Sequence, residues 1–296
     1  MKANGGSLFY KRISDLAKIQ TLRERIASRR EQKILNSPRV GVRNVICEAP
    51  CDNHFAELYF ALLKSPRFIS GHGPAQYKYD DIDGNVHLIS GVDVVSELFR
   101  DIVSKDSQLF LLREKIQSNL QLLQSKYNRT RNVGNDGVVR ISIGWLFHEI
   151  VLQIESQLHL MKSTLELHAT FSQFLFPLKT QGLPAQMSDH VKYFAKGVGR
   201  QIDPAYGEYL SENMSWYFKL KSLRDAVTHF GGLMLVLEET DNRKMWMYFY
   251  PRRAHVLENR VSFEGIEYIV NGYYKYKDFY RNHFLKELSG ADKGRW

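Results

Sequence analysis

Seven apolar residues, Ile143, Phe147, Ile150, Ile154, Leu158, Met161 and Leu165, recur at steps of three and four. That spacing puts them on one stripe of a helix, and the stripe has to be buried against something. The pattern predicts a helix from about Val139 to Leu175. A helix of that length is satisfied most simply by other long helices, so the expected architecture is a bundle of long antiparallel helices. Neighbouring segments fit it. CDNHFAELYFALLKS reads as a helix ended by Pro66, and a long helix is expected over Val92–Tyr127, with Lys105–Asp106 as the point where it would break. LPAQMSDHVKYFAKG reads as a short helix after a Pro-containing turn, and NMSWYFKLKSLRDAVTHF as the last long one of the bundle. Residues 67–90 hold Gly71, Gly73, Pro74 and Gly84 with a run of Asp, the composition of a loop or weak hairpin.

After Gly231 and Gly232 the period changes from 3.6 to 2. LMLVLEE, a TDN turn and KMWMYFY read as a β-hairpin, and RVSFEGIEYIVNG is expected to add strands before KYKDFYRNHFLKEL returns to helix. The fold class is therefore mainly α with a small β appendage late in the chain. The expected division is a basic helical arm over 1–45, a helical domain over 46–232, and a β segment with a closing helix over 233–296. The arm reads as helix from about Leu8 to Leu35, followed by the linker NSPRVGVRN.

With 296 residues, 44% hydrophobic and 12% aromatic, the chain can bury one large core or two modest ones. No apolar run approaches the roughly 18 residues of a membrane span. The first residues carry no hydrophobic stretch of the secretory kind, and two cysteines make no disulfide framework. A cytoplasmic protein with no membrane partner is the expectation. The net charge of +9 is uneven. Residues 1–45 hold eleven Lys or Arg against three Asp or Glu, residues 46–240 nineteen against twenty-two, and residues 241–296 eleven against seven. Basic ends around a near-neutral middle attract a polyanion through counterion release. Arg23, Arg25, Arg29 and Arg30 of the arm are the candidate nucleic-acid contacts.

The chain has no phosphate-binding GxxxxGK[ST], no GxGxxG after a strand, no HExxH and no GxSxG. Cys47, Cys51 and His54 form C-x3-C-x2-H, which lacks both zinc-knuckle spacing and a second ligand pair; half-buried thiols are the expectation. His148, Glu155 and His159 project at nearly one angle of their helix, but no Glu-x-x-His partner motif accompanies them. They read as a polar outer face, with a metal site as the remote alternative. His168 lies near the apolar stripe, where a core histidine is expected.

KSLRDAVTHFGG, residues 221–232, stands apart. Trp216, Leu220, Leu223, Val227 and Phe230 form an apolar seam, Arg224 lies beside it, and Lys221, Asp225 and His229 stack at i, i+4 and i+8. The Asp225 carboxylate is placed to approach the His229 imidazole. Arg224 lies about 140° around the helix from His229, so the two share a ligand only if the helix end deforms or a second subunit completes the site. Gly231–Gly232 supplies such an ending.

The R-D-A-V-T-H stretch resembles the Arg-x4-6-His motif of the HEPN superfamily (higher eukaryotes and prokaryotes nucleotide-binding domains). The resemblance places Arg224 and His229 at the motif's arginine and histidine and Asp225 at its polar position. It covers this last bundle helix; the region from about 46 to 230 is compatible by pattern, while the basic arm and the β segment are not explained by it. Arg67 to His72 has the same spacing but sits in a Pro- and Gly-rich stretch and is treated as a decoy. The resemblance implies a helical, metal-independent endoribonuclease without cofactor, acting as a homodimer in which two motifs face one cleft. Many relatives are toxins or defence proteins, which brings an inhibitory antitoxin-like partner into the expectation. In this reading His229 is the general base or acid, Arg224 holds the phosphodiester, Asp225 positions one of them, and Lys221 adds grip on RNA. The other reading left open by the residues is a non-catalytic helical module that binds nucleic acid or protein through the basic arm and aromatic C-terminal segment.

Overall fold

In the computed structural model, which describes residues 53–80, 86–135, 139–176, 183–240, 245–251 and 260–290, the elements follow in this order. Helix α1 (Asn53–Lys64) leads through a single π turn (Phe68–His72) to the hairpin β1 (Gln76–Asp80) and β2 (Val86–Ser90). Helix α2 (Gly91–Thr130), the short pair β3 (Asn132–Val133) and β4 (Val139–Arg140), and helix α3 (Leu146–Leu175) follow. Then come α4 (Met187–Lys196), α5 (Gly199–Ile202), α6 (Pro204–Asn213) and α7 (Ser215–Phe230). The antiparallel strands β5 (Leu233–Glu239), β6 (Met245–Pro251) and β7 (Val261–Ser262) precede α8 (Phe263–Gly290). The protein is mainly α with a small antiparallel sheet near its C-terminus. The expected basic helix over 8–35, with Arg23, Arg25, Arg29 and Arg30, lies outside the described residues, as do Cys47 and Cys51. No helix among the described residues is long and apolar enough to cross a membrane.

The stripe on α3 is buried as expected: Ile150, Ile154, Leu158, Met161 and Leu165 are each at most 1% exposed. The helix begins at Leu146, however, and not near Val139. Val139 pairs with Val133 in the short β3–β4 ladder, and Gly144 sits at φ 56°. A left-handed residue cannot continue a right-handed helix, so Gly144 sets the start. The expected break in α2 near Lys105–Asp106 is absent. An aspartate interrupts a helix by competing for backbone hydrogen bonds, and the Asp106 carboxylate is engaged elsewhere. It accepts from the Tyr273 hydroxyl at 2.8 Å and pairs with Lys277 at 2.8 Å.

The chain divides into two compact units, one formed by Met1–Ser104, Glu166–Tyr193 and His283–Trp296, the other by Lys105–Leu165 and Phe194–Asn282. The segments 46–232 and 233–296 each contribute to both. In the first unit Phe55 packs on His168 and Phe171, with ring centroids 5.2 Å apart in both cases. His168 is fully buried, as expected of a core histidine. His72, the histidine of the decoy motif, is buried too. Its Nε2 is 2.8 Å from the Phe176 carbonyl oxygen and its Nδ1 is 3.0 Å from the Tyr77 hydroxyl. A carbonyl only accepts, so Nε2 carries the proton and Nδ1 accepts from Tyr77. Burial holds the His72 pKa down against the opposing pull of the Phe176 carbonyl, and the ring is a neutral structural bridge.

In the second unit the hairpin expected after the double glycine is present, with Leu233 opposite Pro251 and Glu239 opposite Met245. The strands expected in RVSFEGIEYIVNG reduce to Val261–Ser262, and α8 starts at Phe263. Two signals override the β-branched content there. Ser262 Oγ accepts from the Gly265 N–H at 3.2 Å, an N-cap, and Ile266, Ile269, Val270, Tyr273, Tyr276 and Tyr280 are all buried on a helical period. Helices α5 and α6 were not anticipated, although Asp203-Pro204 carries an N-terminal signal: Asp203 accepts from the Tyr206 N–H at 2.9 Å and Pro204 opens the first turn.

Gly272 of α8 is the close-approach point against α7. A Cβ there would stand 2.2 Å from Cγ of the Trp216 ring, which is itself 3% exposed. Gly272→Ala is expected to lower stability by about 1–3 kcal/mol through overpacking, measured as a shift of the urea midpoint. An unchanged midpoint would mean that Trp216 has room to turn.

Candidate functional site

Helix α7 is fixed by its seam. Trp216, Leu220, Leu223 and Val227 are buried, and Tyr217 beside them is fully so. The helix stops where the sequence says it should. Gly231 sits at φ 82°, ψ 32° and donates to the Val227 carbonyl, and Gly232, at φ 95°, donates to the same oxygen at 3.1 Å. This is a left-handed glycine C-cap. Glu155 of α3 then accepts the N–H of Leu233, the first residue of β5. Its carboxylate stands 2.8 Å from where a Gly232 Cβ would be. Glu155 therefore anchors the chain as it leaves α7. His148 and His159 are exposed, and among the described residues no three His, Cys, Asp or Glu side chains are grouped to hold a metal.

The charged face of α7 is organised around Asp225. Lys221 Nζ donates to Oδ2 at 3.0 Å, and Arg224 Nη1 lies 3.2 Å from Oδ1. Burial alone would raise the Asp225 carboxyl. The Lys221 hydrogen bond and the charges of Arg224, Lys221 and Lys162 outweigh it and hold the pKa below the usual range. Lys162, from α3, is itself buried with its Nζ 5.6 Å from the centre of the Tyr217 ring. Three cations thus surround one carboxylate. The Asp225 oxygens go to Lys221 and Arg224, not to His229 as the i, i+4 spacing suggested. A lysine four residues earlier competes for the same carboxylate and reaches it.

Beside this cluster an open cleft of about 910 Å³ runs between α7 and the β6–β7 end of the sheet with the first turns of α8. Lys221, Asp225 and His229 line it, together with Phe218, Lys219 and Arg260. Arg224 does not line it. Its guanidinium stays on the Asp225 side, with Nε buried and no hydrogen-bond partner among the described residues. Of the three motif residues, Asp225 and His229 share the cleft, and Arg224 joins them only through Asp225. His229 is exposed.

Sequence reasoning did not find Phe218, Lys219, Lys162 or Arg260. Phe218 and Lys219 had a readable signal, since both lie within a turn of Lys221 on the same helix. Arg260 had none. It comes from beyond the hairpin and is set in place by Glu238, whose Oε1 accepts from Nη1 at 2.8 Å, and by the Tyr248 ring 4.4 Å below. Comparison of the chain with protein-family models, with curated proteins and with solved structures gave no match.

Proposed function

We propose that this chain is an endoribonuclease of HEPN type that cleaves RNA without a metal at the α7 cleft. The observation that carries the reading is His229, an exposed imidazole in a cleft whose described lining residues include Lys219, Lys221 and Arg260 and, among those described, one carboxylate, Asp225. RNA brings its own nucleophile. His229 takes the proton from a 2′-hydroxyl, the 2′-oxygen forms a bond to the adjacent phosphorus, and the bond from phosphorus to the 5′-oxygen breaks. That oxygen takes a proton from water while His229 gives its proton back to solvent, so the products end in a 2′,3′-cyclic phosphate and a 5′-hydroxyl. Lys221 and Arg260 neutralise the phosphate in flight. Arg224 acts behind Asp225, keeping the cluster net positive. The homodimer belongs to the same reading: a second copy across a two-fold axis would set a second motif facing the same cleft.

Purified protein incubated with a single-stranded RNA in EDTA is expected to give cyclic-phosphate ends and to leave the matching DNA strand intact. RNA left whole under these conditions overturns the reading. One observation favours a non-catalytic binding module instead, namely that Asp225 is engaged by two cations and does not orient the His229 ring. That module would retain RNA in a salt-sensitive way with no turnover.

A further inference from the structure

The cleft has a length and a direction that cleavage chemistry alone does not use. Phe218, Ser222, Asp225, Ala226 and His229 lie on one face of α7 and all line it. Phe218 and His229 mark the two ends, eleven residues apart and therefore roughly 16 Å along the helix axis. Phe218 is 46% exposed, while its neighbours Trp216 and Tyr217 are at 3% and 0%. The helix thus turns one aromatic ring outward into a charged cleft while sealing the adjacent two into the core. Between the ends Ser222 and Ala226 are small, which leaves room for a backbone to lie close. Cations stand along the sides: Lys219, its Nζ 4.7 Å from the centre of the Tyr268 ring, then Lys221, then Arg260 on the Tyr248 ring.

We propose that this face is a track for about four unpaired nucleotides, with Phe218 the base-stacking platform at the end remote from His229. The proposal rests on the ribonuclease reading for the direction of the strand, but stacking itself does not require cleavage. An exposed ring flanked by cations recognises the π face of a base and the phosphates either side of it. Only an unpaired base offers that face, because a duplex buries it in its own stack. Among the described lining residues Lys219, Lys221 and Arg260 outnumber Asp225, which suits a polyanion better than an apolar protein segment. Phe218 therefore selects single strands and sets the shortest substrate that fills the cleft.

The test uses fluorescein-labelled 2′-O-methyl RNA of two, three, four and six nucleotides, which cannot be cut, with binding read by anisotropy. Affinity is expected to climb from the dinucleotide to the tetranucleotide and then level off. Phe218→Ala should weaken the tetranucleotide by about tenfold and leave the dinucleotide nearly unchanged, whereas Phe218→Trp should bind at least as well as the parent. The ring is exposed, so neither change threatens the fold. Equal binding by Phe218→Ala, or competition by duplex RNA as strong as by single strands, overturns the proposal. So does a fall in sedimentation mass on Phe218→Ala without loss of RNA affinity, because the ring would then be a protein contact. Phe218-dependent binding by a chain that leaves ordinary RNA whole would sink the ribonuclease reading and keep the stacking site.

Discussion

His229→Ala is expected to lower RNA cleavage by about 10²–10⁴-fold while leaving RNA binding and the fold in place. The size follows from what remains after the change. Lys221 and Arg260 still hold the phosphate, so the ground-state complex forms, but the described lining residues hold no other imidazole to take the 2′-proton. Asp225 cannot substitute, since its carboxyl is held below the usual range by Lys221, Arg224 and Lys162 and is a poor base. The fold is safe because His229 is exposed and follows the buried part of the seam, where substitutions change stability by about 0.5 kcal/mol or less. Loss of rate with unchanged affinity for 2′-O-methyl RNA and an unchanged thermal midpoint is the expected pattern. A variant that keeps more than about a tenth of the parent rate would remove His229 from the chemistry.

Much of the fold was legible because burial imposes a period. The α3 stripe, the α7 seam and the β5–β6 alternation all announce themselves, since each must hide one face. Element ends were harder. Gly144 could be read as one more residue of a helix, and only its left-handed φ shows that the helix starts after it. The stretch after Val261 carries β-branched residues and few turn signals, and its helical period emerges only when the tyrosines at 273, 276 and 280 are counted with Ile266, Ile269 and Val270 as one buried set. The site was half legible. Residues on one helix, Lys221, Arg224, Asp225 and His229, fall at spacings that i, i+4 geometry interprets. That geometry does not decide between Lys221 and His229 as the partner of Asp225, because both are four residues away. Nor can it see Arg260, whose place depends on the register of a sheet edge, or Lys162, brought in by α3.

The same limit explains why a buried ion pair of the second unit was missed. Asp106 was legible only as a possible helix break, yet it joins Lys277 from a helix far along the chain at 2.8 Å, with side chains 6% and 10% exposed respectively. The Tyr273 hydroxyl donates to its other oxygen, and burial together with the Asp106 charge pushes the Tyr273 pKa well above its ordinary value. Tyr273 therefore stays a neutral donor at neutral pH. The rings of Tyr273 and Tyr274 lie 5.8 and 5.7 Å from the Lys277 ammonium. Taking two charges out of water costs much of what their attraction returns, so the pair as a whole contributes little, whereas removing one member is expensive. Asp106→Leu is expected to cost about 3–5 kcal/mol, because the ammonium stays where it is and cation–π attraction replaces only part of the lost carboxylate. Adding Lys277→Met should restore most of that loss, since a thioether of similar length fills the site with no charge to desolvate. Urea unfolding of the parent, the two single variants and the double variant measures the coupling directly. If the double variant is as unstable as the sum of the singles, Asp106 and Lys277 act independently and the pair does not hold α2 to α8.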